Sequence, residues 1–90
     1  MHVKINFLGP LRDQLGQPSL TVELPQGATY RDLLDAIAPT VSKSTEWDQT
    51  TRTFSRRLTV TRNNGSYLRD ESTPLADGDE ILVLLPMAGG

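Results

Sequence analysis

Ninety residues carrying 9 basic and 11 acidic side chains, a formal charge of -2, make one modest domain and leave no basic surplus for a nucleic-acid footprint. No cysteine is present, which excludes a disulfide scaffold, a cysteine nucleophile and a thiolate metal site. The 37% apolar content is low but enough for a single core. The one histidine, His2, has no second histidine to share a metal with and is expected to be exposed. Met1-His2-Val3-Lys4 opens on alternation and not on a signal sequence, and the longest apolar run, Ile81 to Leu85, is too short to span a bilayer. The expectation is a cytoplasmic protein that binds neither membrane nor nucleic acid and holds no metal.

Val3, Ile5 and Phe7 alternate with Lys4 and Asn6, the period of a half-buried strand, and Gly9-Pro10 punctuates its end. Leu11 to Leu15 reads as a turn or one helical turn closed by Gly16. Leu20 to Leu24 alternates again and stops at Pro25-Gln26-Gly27, so the two runs read as a hairpin with a long connection. Thr29 is placed to cap a helix, with Asp32 three residues on, and Leu33, Leu34 and Ile37 form its apolar stripe beside Tyr30. Pro39 is expected to end this helix at Ala38.

Residues 41–57 are polar, with Trp47, Phe54 and the following Leu58 as anchors. The expectation is a loop with one or two helical turns, pinned to the core by Trp47 and Phe54, with an exposed binding role for Trp47 as the alternative. Arg52, Arg56 and Arg57 read as a solvated helix face. Leu58 to Arg62 is a β-branched strand, Asn63-Asn64-Gly65 a tight turn, and Tyr67-Leu68 a short returning strand. Asp77-Gly78-Asp79 is a structural turn before the last strand, Glu80 to Leu85, which Pro86 ends. The order predicts an α+β domain: a mixed sheet of about four or five strands with one main helix on one face. This is the element order of the β-grasp, or ubiquitin, fold.

The last strand has two apolar sides, Ile81, Val83 and Leu85 on one and Leu82 and Leu84 on the other. Such a strand is normally covered twice, yet one helix covers one side. Leu82 and Leu84, with Leu8, are therefore expected to form an exposed patch for a partner, unless residues 41–57 fold over them.

Leu75-Ala76-Asp77-Gly78-Asp79-Glu80-Ile81, an apolar strand, a proline and a closing Gly89-Gly90 together resemble the MoaD/ThiS group of ubiquitin-like sulfur carriers. Two further stretches, Phe7 to Gly16 and Leu24 to Leu34, resemble its MoaD branch. The resemblance implies a β-grasp domain over 1–86 and a flexible diglycine tail over 87–90. It implies that the Gly90 carboxylate is adenylated by a ubiquitin-activating-type enzyme using Mg-ATP, the carrier itself binding no cofactor. Sulfur from a cysteine desulfurase or rhodanese-type donor then replaces AMP, and the thiocarboxylate goes to an acceptor such as a molybdopterin synthase large subunit. Gly89 and Gly90 suit entry into a narrow catalytic channel, because a residue without Cβ lets backbone pass close to backbone. Pro86, Met87 and Ala88 would join Leu8, Leu82 and Leu84 in contacting partners. The chain would thus be a co-substrate and not an enzyme. Leu85-Pro86-Met87-Ala88 departs from the two prolines and hydroxyl residue frequent in the molybdopterin branch, which leaves cysteine, thiamine or tRNA thiolation open as destinations. The same adenylate attacked by a lysine would make a protein modifier, with Lys4 and Lys43 as possible chain acceptors; an interaction module without tail chemistry is the third reading.

Overall fold

The computed structural model describes residues 1–63 and 65–86. Along the chain run β1 (His2–Phe7), α1 (Pro10–Leu15), β2 (Ser19–Glu23), α2 (Tyr30–Val41), β3 (Trp47–Asp48), β4 (Thr53–Phe54), β5 (Thr59–Arg62), β6 (Ser66–Tyr67) and β7 (Glu80–Leu84). Five strands form one sheet in the order β2-β1-β7-β5-β6, and β3 and β4 pair separately. β7 runs parallel to β1, matching Ile5 to Ile81 and Phe7 to Val83, and antiparallel to β5, matching Val60 to Val83. The expected mixed sheet with one main helix is thus the observed architecture. The strand with two apolar sides is the central one.

Strand alternation decides which side chains meet the helix. Val3, Ile5, Phe7, Ile81 and Val83 are buried almost completely, as are Leu33, Leu34, Ile37 and Val41 of α2. Thr29 and Asp32 close a full capping box: the Thr29 N–H donates to Asp32 Oδ2 at 2.8 Å, and the Asp32 N–H donates to Thr29 Oγ1 at 3.4 Å. The Tyr30 and Arg31 amides, which no helical carbonyl can accept, donate to the Thr73 and Glu71 carbonyls, each at 2.9 Å.

Three expectations need correction. Pro39 does not end α2; the helix continues to Val41, and the Ser42 N–H donates to the Ala38 carbonyl at 2.9 Å. A proline in the last turn removes one helical hydrogen bond, and Pro39 itself points to solvent. Val41 is fully buried, and that contact carries the helix through. Residues 41–57 hold no second helix but the β3–β4 hairpin, in which Trp47 pairs with Phe54. Their rings meet edge to face with centroids 5.3 Å apart, and both are buried in the main core. The anchoring is as expected, and burial excludes Trp47 as an exposed contact. The arginine cluster is accordingly not a helix face. Arg52 sits in the hairpin turn at φ 57 and pairs with Asp35, while Arg57 pairs with Glu46.

Arg31 binds the hairpin to the helix. Its Nη2 donates to the Arg52 carbonyl at 2.6 Å and to Asp35 Oδ1 at 2.9 Å, and its Nη1 donates to Glu71 Oε1 at 2.9 Å. Burial disfavours the Arg31 charge, but hydrogen bonds to Glu71 and Asp35 outweigh it and hold the guanidinium above its ordinary pKa. In the hairpin turn, Asp48 Oδ1 accepts the Thr50 and Thr51 amides at 2.8 and 3.2 Å. The backbone bond from Thr51, followed by that from Thr50, keeps this exposed carboxyl below its usual range. A depressed folded-state pKa means that its support is present above the unfolded-state value and fades as pH falls through the folded one.

The turn before β7 is a clasp. Gly78 adopts φ 84, a conformation that costs glycine little, and its N–H donates to the His2 carbonyl at 2.8 Å. Asp79, only 4% exposed, accepts from Asn63 Nδ2 at 2.7 Å and from the Ala76 N–H at 2.8 Å, and pairs with Arg62 at 3.1 Å. Asn63, at φ 43, returns a bond by accepting the Glu80 N–H on Oδ1 at 2.8 Å. The clasp therefore joins the starts of β1 and β7 to the end of β5.

Removing the buried carboxylate strands Arg62 and Asn63, so Asp79→Ala should lower unfolding free energy by about 3 kcal/mol, whereas exposed Asp77→Ala should cost about 1 kcal/mol. Urea unfolding of both variants checks this. Trp47→Ala should cost about 3 kcal/mol by leaving a cavity beside Phe54, with α2 retained by circular dichroism.

Candidate partner-binding surface and diglycine terminus

The side of the sheet away from α2 follows from register. Asn6, Leu82 and Thr61 lie in one cross-strand row, and Tyr67 pairs with Thr61 to extend it. Leu84 pairs with Thr59. Leu8 lies one residue past β1, and its N–H donates to the Val83 carbonyl at 3.0 Å. The parallel register therefore carries it abreast of Leu84. Leu8 is 42% exposed and Tyr67 66% exposed, while Leu82 and Leu84 are half-buried by their polar neighbours Asn6, Thr59 and Thr61.

Trp47 and Phe54 belong to the core that contains Ile81 and Val83, so the hairpin packs on the α2 side and leaves Leu82 and Leu84 uncovered. Leu82, Leu84, Asn6 and Thr61 instead line a shallow open hollow of about 420 Å³. Lys4 and Glu80, paired across β1 and β7 and both exposed, give the hollow a charged margin. One exposed and two half-buried leucines ringed by polar groups form the kind of surface that proteins bury against partners.

Of the residues singled out from sequence, Leu8, Leu82 and Leu84 are brought together on this face. Pro86 is exposed just beyond β7, and Leu85 packs against the core edge. Met87, Ala88, Gly89 and Gly90, the expected tail, lie outside the described residues. Tyr67 was legible only as part of a short strand. Its pairing with Thr61 across the turn is local, but its place beside Leu82 depends on the β5–β7 register, for which the sequence carries no local signal. Among the described residues no cluster of three potential metal ligands occurs, and no helix is long and apolar enough to cross a membrane.

A mixed five-stranded sheet packed on one main helix, with the last described strand at its centre, defines a ubiquitin-like protein of β-grasp architecture. The chain belongs to the ThiS family, whose model matches residues 5–90, and so to the ubiquitin-like sulfur carriers. Among solved structures, it resembles a putative molybdopterin converting factor subunit 1 from Pyrococcus furiosus at 26% identity, with 97% and 99% of the two chains covered and a TM-score of 0.72. The small archaeal modifier protein 1 of Methanosarcina acetivorans is similar at 25% identity, 99% and 96% coverage and TM-score 0.71. The complex of subunits 1 and 2 of the Helicobacter pylori molybdopterin-converting factor contains a chain of the same fold, at 24% identity, full coverage of both chains and TM-score 0.66. No curated protein sequence is significantly similar to the chain.

Because Leu82 faces outward while Ile81 is sealed in the core, Leu82→Ala should cost roughly 1 kcal/mol and Ile81→Ala roughly 3 kcal/mol. Denaturant unfolding of the pair measures the difference; equal losses would mean that Leu82 is covered in solution.

Proposed function

We propose that this protein carries sulfur as a C-terminal thiocarboxylate on Gly90 and delivers it to a biosynthetic acceptor, most directly molybdopterin formation. The observation that carries the reading is the leucine patch at the end of the very strand that leads to residues 87–90. A partner gripping Leu8, Leu82 and Leu84 would hold the domain while the terminus enters its catalytic centre. The match of the family model through residue 90 supports the same division of labour. So do the likeness to a molybdopterin converting factor subunit 1 and the paired subunits of the Helicobacter pylori factor.

The chemistry needs an activated acyl group, because a carboxylate has no leaving group of its own. A ubiquitin-activating-type adenylyltransferase would transfer AMP from Mg-ATP to the Gly90 carboxylate, releasing pyrophosphate. The outer sulfur of a persulfide donor would then attack an acyl carbon that no branched side chain shields and expel AMP, and a second thiol would cleave the resulting acyl disulfide, releasing the thiocarboxylate and leaving the donor sulfur in a disulfide with that thiol. In this reading the protein is a co-substrate: it supplies the acyl group and a handle, and its partners supply nucleotide binding and charge stabilisation. Residues 1–86 form the handle and 87–90 the working tail, with Pro86, Met87 and Ala88 contacting the channel mouth.

The likeness to a small archaeal modifier protein favours a second reading, in which a lysine of a target protein attacks the same adenylate and the product is an isopeptide. Both readings use Gly90, and the bond formed separates them.

Intact-mass analysis after incubation with activating enzyme, Mg-ATP, cysteine desulfurase, cysteine and a thiol reductant should show the gain of one oxygen-for-sulfur exchange. Deleting Gly90 should abolish it. Leu82→Asp with Leu84→Asp should lower kcat/KM for adenylation by about tenfold or more, chiefly through KM, with the fold unchanged. Lysine-linked adducts without thiocarboxylate would favour the modifier, and full cellular function after Gly90 deletion would overturn both.

A further inference from the structure

A second groove lies between the β3–β4 hairpin and the outer edge of the sheet at β5 and β6, and adjoins the border of the leucine patch at Thr59 and Tyr67. It encloses about 640 Å³. Its floor is apolar: Phe54, Leu58, Val60 and Leu68 line it and are buried, together with the ring of Tyr30. Its margins carry Arg56, Arg69 and Tyr67, all exposed.

The arginines at this groove stand apart from the other arginines. Arg12, Arg31, Arg52, Arg57 and Arg62 each lie within ion-pair distance of a carboxylate. Arg56 and Arg69 have no such partner among the described residues, and both line this groove. Glu71, the one carboxylate in the lining, is already engaged by Arg31 at 2.9 Å. The guanidinium carbon of Arg69 instead lies 4.9 Å from the Tyr67 ring centroid, a contact that holds the cation in place without neutralising it. On a chain of net charge -2, this is a local excess of positive charge over an apolar floor.

The backbone adds a third feature. β6 pairs only with Thr61 and Arg62 of β5, and the Leu68 N–H donates to the Val60 carbonyl at 2.9 Å as the chain leaves the sheet. Thr59 of β5 therefore has no strand on its outer side, and it lines the groove. A sheet edge beside an apolar trough is a common setting for an extended peptide.

We propose that this groove docks an extended acidic segment of a partner protein, seating an apolar side chain on the Phe54–Leu58–Leu68 floor and carboxylates against Arg56 and Arg69. A peptide fits better than a phosphate-bearing ligand. The floor offers an apolar side chain a dry seat, whereas the two arginines stand on opposite walls, on the segment after β4 and the segment after β6. Sites for phosphate gather their donors around one point, often at a helix N-terminus. The groove contains none of Leu8, Leu82 and Leu84, although Thr59 and Tyr67 border both surfaces. It does not depend on the tail chemistry.

The test uses the full chain and the acetylated synthetic peptide Asp-Glu-Leu-Ile-Asp-Glu, with a version bearing lysine at each acidic position as control. Trp47, the single tryptophan, packs on Phe54 and reports on the floor by its fluorescence. The acidic peptide should change Trp47 emission saturably and shift the amide resonances of Ser55, Thr59 and Arg69, and the lysine version should not. Arg56→Glu with Arg69→Glu should weaken binding by about tenfold or more while the thermal midpoint stays unchanged, and Arg56→Lys with Arg69→Lys should retain most of it. If the charge-reversed protein fails to fold, the lysine peptide and the resonance map still decide the matter. The proposal is overturned by no saturable response at millimolar peptide, by equal binding of the lysine peptide, or by shifts confined to Leu8, Leu82 and Leu84. Saturation of the groove by inorganic triphosphate, or its closure by a second copy seen in sedimentation, would equally assign it to another occupant.

Discussion

The structure rests on the insertion of β7 between β1 and β5. A strand that arrives last in the chain occupies the middle of the sheet, hydrogen-bonded on both edges, with Ile81 and Val83 fully sealed beneath α2. Its parallel pairing with β1 brings the first and last described strands side by side. Everything between them is a connection whose geometry must allow that insertion. The Asp79 clasp sets the register, because one carboxylate holds the start of β7, the end of β5 and the turn before β7 at once. Such a buried carboxylate is tolerable when both of its oxygens are engaged, as here: Oδ1 accepts from Asn63, and Oδ2 from the Ala76 N–H with Arg62 beside it.

The same insertion creates the candidate interface. A central strand exposes two faces, and a chain of this size owns one helix long enough to cover one of them. The other is left with Leu82 and Leu84, made tolerable by a border of threonine and asparagine side chains and by modest size. Continuity with the last residues of the sequence comes from topology and not from any separate device, since Leu82 and Leu84 lie on the last described strand. For a carrier this coupling is useful: a partner that grips β7 also fixes how far the last few residues of the chain can reach.

The β3–β4 hairpin shows how a polar excursion can be structural. Two aromatic rings plug it into the core, and Arg31 ties its turn to the helix through main-chain carbonyls, so that the hairpin closes one end of the α2 layer. In doing so it raises a wall opposite the β5–β6 edge, and the groove between them exists only because of that packing. Arg52, Arg56 and Arg57, within six residues of sequence, are sent to three different environments as a result.

Local pattern determined most of the architecture. Alternation marked the long strands, Thr29 and Asp32 marked the start of α2, and Asn63 with Gly65 marked the hairpin turn, because each of these signals acts over a few residues. The closing Gly89-Gly90 and the stretch before β7 pointed to a ubiquitin-like carrier on the same local terms. Tertiary packing decided the rest. Pro39 stays within the helix because burying Val41 outweighs one lost hydrogen bond. The strands of β3 and β4, at two residues each, are too short to show a period, so only their seat in the core defines them. Which of the two apolar sides of β7 remains open depends on where the hairpin lands, and that Tyr67 joins it depends on cross-strand register. These are contacts between residues far apart along the chain, and no short window of sequence contains them.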